Sequence, residues 1–224
     1  MQLLLALYAE GPSDTRFLPL IIQRVARSIT APHRLVGVLD LTIISKKQGI
    51  REECIVFAAR DAYGCHALIV HSDADDKSSE RARKERIEPG FNQVLHSSED
   101  VCKDLIPIIP VQMIEAWMLA DHNALREAIG TNMSAQTLGL PARPALVERD
   151  ANPKHTLNEV VRKANAGRSR RHQKIDINAF HERLARDIDL NILDLVTSYR
   201  EFKRDLANTL AKLHFIPFNL PEKE

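Results

Sequence analysis

Two short stretches hold the residues best suited to chemistry. Glu10 follows an apolar run in YAEGPSD (8–14), and Asp73, Asp75 and Asp76 follow another in HSDADD (71–76). Carboxylates held a few ångströms apart cannot all stay ionised, because each raises the pKa of the next. A hard divalent cation removes that conflict. Mg²⁺ takes oxygen ligands, keeps several waters and needs only one or two protein carboxylates. Glu10, Asp73 and Asp75 are therefore the candidate metal ligands, with Mg²⁺ or Mn²⁺ as cofactor. An extended segment would turn Asp73 and Asp75 to the same side. Such an ion polarises a phosphoryl oxygen, activates water or stabilises a leaving oxygen. Either motif alone also suits a helix N-cap or a solvated carboxylate. Asp14 reads as a cap ahead of a ligand, His71 as a packed histidine that could approach the metal site, and Asp76 as a spare ligand or a solvated side chain.

These residues need strands to bring them together. QLLLALYA (2–9) and HALIVHSD (66–73) are short continuous apolar runs, as expected of central strands covered on both faces. LVGVLDLTII (35–44) reads as a further strand. DLIPIIPVQ (104–112) reads as a fourth, and its prolines favour an edge or a strand end. Helices are expected over FLPLIIQRVARSI, with Pro19 suited only to a first turn, and over REECIVFAARDAYG, near FNQVLHSS, and over MIEAWMLADHNALREAIG up to Gly130. Alternating strand and helix implies parallel strands with right-handed crossovers. Ligands of such open sheets gather beyond the carboxyl ends of the strands, where Glu10 and Asp73 fall. Residues 131–155, with Pro141, Pro144 and Pro153, look like loop. Helical patterns follow, with Phe180, Leu184, Ile188 and Phe202, Leu206, Leu210 at i, i+4 spacing. The expected organisation is an α/β domain over 1–125 with a helical region over 126–224 packed on it.

Strand–Glu–Gly–x–x–Asp, followed by an apolar run and Asp–x–Asp, resembles the Toprim domain of topoisomerases, primases and OLD-type nucleases. PVQMIEAWMLAD (110–121) resembles the IEAWLLAD signature of a Toprim-like family of bacterial proteins. The likeness covers about residues 1–125. It implies a Rossmann-like four-stranded parallel sheet flanked by helices. Glu10 is implied as an acid/base or metal-linked residue, and Asp73 and Asp75 as Mg²⁺ ligands. By the same likeness Glu115 is the best further acid, and Lys154 is the lysine to test first as a transition-state stabiliser. Trp117 reads as packing. The implied activity is Mg²⁺-dependent hydrolysis of phosphodiesters in DNA or RNA, in bacterial anti-phage defence. OLD-type nucleases carry an ATPase domain, and this sequence has no G-x-x-x-x-G-K-[ST] loop, so an ATPase partner protein is expected.

Composition narrows the alternatives. With 31 basic and 30 acidic residues, any basic patch must be local. One is RKANAGRSRRHQK, where Arg162, Lys163, Arg168, Arg170, Arg171 and Lys174 are candidate contacts to a nucleic-acid backbone. The cluster has no interleaved aromatics, so it predicts phosphate contact rather than base reading. It is equally a solvated loop. The 3 cysteines fit neither a zinc pattern nor a disulfide framework. MQLLLALYA lacks a basic n-region, and no stretch suits a membrane span, so a cytoplasmic location is expected. An oligomer remains open. The main alternative function is a non-catalytic module that binds nucleic acid or a partner. A small-molecule phosphatase or phosphotransferase is a third option.

Overall fold

The computed structural model describes residues 1–166 and 177–217. Its centre is a four-stranded parallel sheet in the order β2-β1-β3-β4. The strands are β1 (Gln2–Tyr8), β2 (Val38–Ile44), β3 (Ala67–His71) and β4 (Leu105–Ile108). The two continuous apolar runs form the two inner strands, because only there do both faces of a strand leave water. Pro107 lies in β4, at the sheet's edge, where a missing ladder donor is tolerated. The register runs Leu5↔Ala67 to Tyr8↔Val70, so the carboxyl ends of β1 and β3 lie side by side.

Helices cover both faces. On one, α2 (Arg51–Asp61) and α4 (Glu88–His96) pack over Ala6, Tyr8, Leu68 and Val70. They touch closely, since a Cβ on Gly90 would stand 2.6 Å from Ile55 Cδ1. On the other face, α1 (Asp14–Thr30) packs over Leu3, Leu5, Leu7 and Ile69. The same core takes in α5 (Glu115–Met118), α6 (His122–Ile129), α7 (Ala135–Leu138), α8 (Pro153–Asn165), α9 (Ile177–Asp187), α10 (Leu190–Leu193) and α11 (Thr197–Lys212). Trp117 ties the halves together. Its Nε1–H donates to Ser198 Oγ at 2.8 Å, and its ring meets Tyr199 edge-on at 5.4 Å. The boundary expected near residue 125 falls within this continuous core.

Several elements differ from expectation. The first helix starts at Asp14, three residues before Phe17, so Pro19 lies in the second turn and leaves the Thr15 carbonyl without its helical donor. The long helix expected over 113–130 is two, α5 and α6. Asp121 is extended there (φ −97°, ψ 97°) and caps the second. Within 131–155 lie α7 and a 3₁₀ segment, Pro144–Arg149. Pro144 and Pro153 open helical turns instead of marking loop, because a first-turn residue needs no N–H donor. The polar stretch 75–86 holds α3 (Ser79–Ala82) and enters a π turn, Arg83–Ile87.

Candidate functional site

The chain visits β2 on one side of β1 and β3 on the other, so the strand order reverses between β1 and β3. That is the switch point where open α/β sheets take ligands. Glu10 lies two residues past β1, and Asp73 two past β3. Between them sits His71, the last residue of β3 and wholly buried. Its Nδ1 stands 3.4 Å from Asp14 Oδ2 and its Nε2 3.3 Å from Asp73 Oδ1. Neither nitrogen has an aligned hydrogen-bond partner among the described residues. Burial by itself lowers the pKa of His71, but the carboxylates of Asp73, Asp14 and Glu10 more than reverse this and raise it. The His71 ring is thus held between two acids.

Asp14, 4% exposed, opens α1 and accepts the Gly11 N–H at 2.8 Å. Burial raises its pKa, with Asp73 adding to the rise and His71 opposing it. Asp73 Oδ1 accepts the Ile114 N–H at 3.0 Å, which fixes the start of α5 against β3. Glu115 is the next residue and 7% exposed. Burial is the main cause of its raised pKa; the charges of Asp73 and Asp14 push the same way, and Lys154 pulls it down. No side chain forms an ion pair with Glu115 among the described residues. Lys154 sits in the first turn of α8, exposed to solvent. The structure therefore gathers Asp14, His71, Asp73, Glu115 and Lys154 into one electrostatic neighbourhood.

Glu10 and Asp75 stand differently. Glu10 forms an ion pair with Arg51, whose Nη1 also donates to Ser72 Oγ at 2.9 Å. Lys46 Nζ donates to the Glu10 carbonyl at 2.8 Å. Asp75 does not continue the alternation from Asp73, because β3 has ended and Asp75 is left-handed (φ 48°). Gln112 is left-handed too (φ 60°). Asp75 N–H donates to Gln112 O, and Gln112 N–H to Asp76 O, carrying the β3–β4 pairing into the loops. This bend sends the Asp75 carboxylate, whose side chain is 54% exposed, onto Arg86 at 2.7 Å. Arg86 also donates to the Asp73 carbonyl.

Among the described residues no three His, Cys, Asp or Glu side chains form a ready metal cage. The oxygen donors of Asp73 and Glu115 suit a hard cation; Glu10 and Asp75 each already face an arginine. In the basic stretch, Arg162 pairs with Glu159, and Lys163 Nζ donates to the Leu138 carbonyl at 3.1 Å. Arg168, Arg170, Arg171 and Lys174 lie outside the described residues.

Sequence reasoning reads Asp14 as a cap ahead of a ligand and His71 as a packed histidine that could approach the site; the structure buries His71 between Asp14 and Asp73, and sequence reasoning missed the two arginines. His71 had a signal, since it precedes Asp73 by two and so shares its side of an extended chain. Arg51 and Arg86 had none, because only the fold brings α2 and the π turn to the strand ends.

Fold and site define a parallel α/β protein with a cluster of buried acidic residues at its switch point. Residues 9–195 match the family described as a domain of unknown function (DUF4276), and the chain belongs to that family. No curated protein and no solved structure matches it. No helix among the described residues is long and apolar enough to cross a membrane.

Proposed function

We propose that this protein is a divalent-metal-dependent nuclease of the Toprim-like kind that its motifs resemble. The supporting observation is the placement of Asp14, Asp73 and Glu115 at the switch point, with Asp14 and Glu115 held above their usual pKa by burial. A cation there relieves all three carboxylates at once. Asp73 and Glu115 are the ligands best placed to hold Mg²⁺ or Mn²⁺. Glu10 and Asp75 join only by leaving Arg51 and Arg86. The ion supplies Lewis acidity toward a phosphodiester. Around it, Glu10, once released from Arg51, would take the proton of the attacking water as the P–O bond to the leaving oxygen breaks, and Lys154 would balance charge on the phosphoryl oxygens. Arg51 and Arg86, when released, hold the flanking phosphates. DNA as substrate, contacts from the stretch 162–174, an ATPase partner, a setting in anti-phage defence and a cytoplasmic location belong to the proposal through the resemblance.

The pairing of Glu10 with Arg51 and Asp75 with Arg86 favours a second function, a non-catalytic binding module whose acids are balanced by its own cations. One experiment separates the two. Mg²⁺ and Mn²⁺ are titrated into the wild type and into Asp73→Asn, which keeps an acceptor for Ile114 N–H, with calorimetric heat and nicking of supercoiled plasmid as readouts. The nuclease requires binding and nicking in the wild type and loss of both in the variant. Nicking retained in folded Asp73→Asn refutes the site. DNA binding with neither metal heat nor nicking establishes the binding module.

A further inference from the structure

We propose that the free edge of β2 joins a second copy of this chain, giving a two-fold dimer with one continuous eight-stranded sheet. Among the described residues, β2 pairs with β1 on one side only and ends the sheet. The Leu41 N–H bonds to the Asp40 carboxylate at 2.9 Å and not to a neighbouring strand. Backbone groups alternate sides along a strand, so Leu39, Leu41 and Ile43 turn theirs outward. Exposed edges are normally guarded by Lys, Pro or a bulge. VLDLTII has no lysine and no proline, and its single charge is Asp40. Its apolar side chains are instead open, with Val38 56% and Ile43 45% exposed.

The edge is complementary to itself. An antiparallel pair closes about a two-fold axis, whereas parallel addition would run on as an open chain of copies. Centring the pair on Leu41 uses all seven residues and sets Leu41 opposite Leu41, Leu39 opposite Ile43, and Asp40 opposite Thr42. The sole carboxylate then meets a hydroxyl; a pair centred on Asp40 would oppose two carboxylates. Leu39 also lines a groove of about 340 Å³ with Arg27, Thr30, Ala31, Val36 and Gly37. Leu39, Leu41 and Ile43 share one face of the strand. The partner's Ile43 therefore arrives at the rim of this groove, and the axis repeats the contact. Since the copies run antiparallel, their acidic clusters lie at opposite strand ends of the joined sheet.

Light scattering on the purified chain should give twice the mass of one chain at micromolar concentration. Ile43→Lys buries a charge at both symmetric contacts and should weaken association about 100-fold, roughly tenfold per contact, while leaving the melting temperature unchanged at concentrations where both proteins are monomeric. Leu41→Cys should crosslink under mild oxidation, because directly opposed residues of a hydrogen-bonded pair lie about 5.5 Å apart between Cα atoms, within disulfide range. The wild type, with Cys54 and Cys102 buried and Cys65 half-buried, is the control for crosslinking through native thiols. A monomer at every concentration overturns the proposal. So does a dimer indifferent to Ile43→Lys in which Leu41→Cys stays uncrosslinked.

Discussion

Asp121, the last residue of IEAWMLAD, is the place to test whether that motif serves chemistry or architecture. Its Oδ1 accepts the N–H groups of Asn123 and Ala124 at 3.0 and 3.1 Å, capping α6. Its Oδ2 accepts the Asp189 N–H at 2.9 Å, just before α10. The carboxylate is 4% exposed and clamps the end of the α5 segment to the C-terminal helices. Asp121→Ala removes a cap worth about 1–2 kcal/mol. It also removes a bond from a part-buried N–H to a charged group, worth about 1.5–3 kcal/mol. The expected loss is about 3–4 kcal/mol, which for a chain of this size lowers the melting temperature by about 10 °C. Asp121→Asn keeps the cap and loses only the Asp189 contact, so it should cost about half as much. Urea unfolding of the three proteins, with Mg²⁺ calorimetry on the folded Asn variant, is the assay. A loss below about 1 kcal/mol in the Ala variant would refute the clamp. Collapse of Mg²⁺ affinity in a stable Asn variant would make Asp121 a ligand instead.

Two further outcomes follow from the packing and the charges. Glu115 has its pKa raised by burial, so the folded state holds a proton that the unfolded chain, near 4.5, has already lost. Its contribution to stability therefore improves as pH falls through the raised value, and above that value the ionised group costs stability. With metal chelated, Glu115→Gln should unfold at higher urea than the wild type near about pH 8, with the gap closing toward about pH 5; a variant less stable at the higher pH contradicts this. Gly90→Ala drives a Cβ to 2.6 Å from Ile55 Cδ1 between α4 and α2. It should cost about 1–3 kcal/mol in urea unfolding, and an unchanged midpoint would show that the two helices separate freely.

The parallel sheet was legible because β1 and β3 are uninterrupted apolar runs, a pattern that only doubly covered strands need. The adjacency of Glu10 and Asp73 follows from the pairing of those two strands. The break after Leu119 was not legible by periodicity, since apolar residues continue through Ala124 and Leu125. The signal was capping chemistry: Asp121 precedes a helical run as an N-cap does. Asp75 misled for the opposite reason. Its spacing from Asp73 presumes an extended chain, yet a left-handed backbone at Asp75 turns it to Arg86. Loop dihedrals and partners distant in sequence leave no periodic trace.

Those partners redistribute the demand for positive charge in the site. Glu10 is met by Arg51, Asp75 by Arg86, and the inner sides of Asp14 and Asp73 by His71. Each cation comes from a different segment, so folding itself balances most of the acids brought to the strand ends. Glu115 is met least, with Lys154 acting on it only through the field. Asp73 meanwhile commits Oδ1 to Ile114 and His71, leaving Oδ2 the freer oxygen. On the proposed metal-dependent reading, the cation would lie between the end of β3 and the start of α5, not between Asp73 and Asp75. Metal affinity should accordingly fall further on Glu115→Gln than on Asp75→Asn in the same calorimetric titration. The reverse order would show that Arg86 yields Asp75 to the ion and that the spacing of the two aspartates, not the burial of Glu115, defines the site.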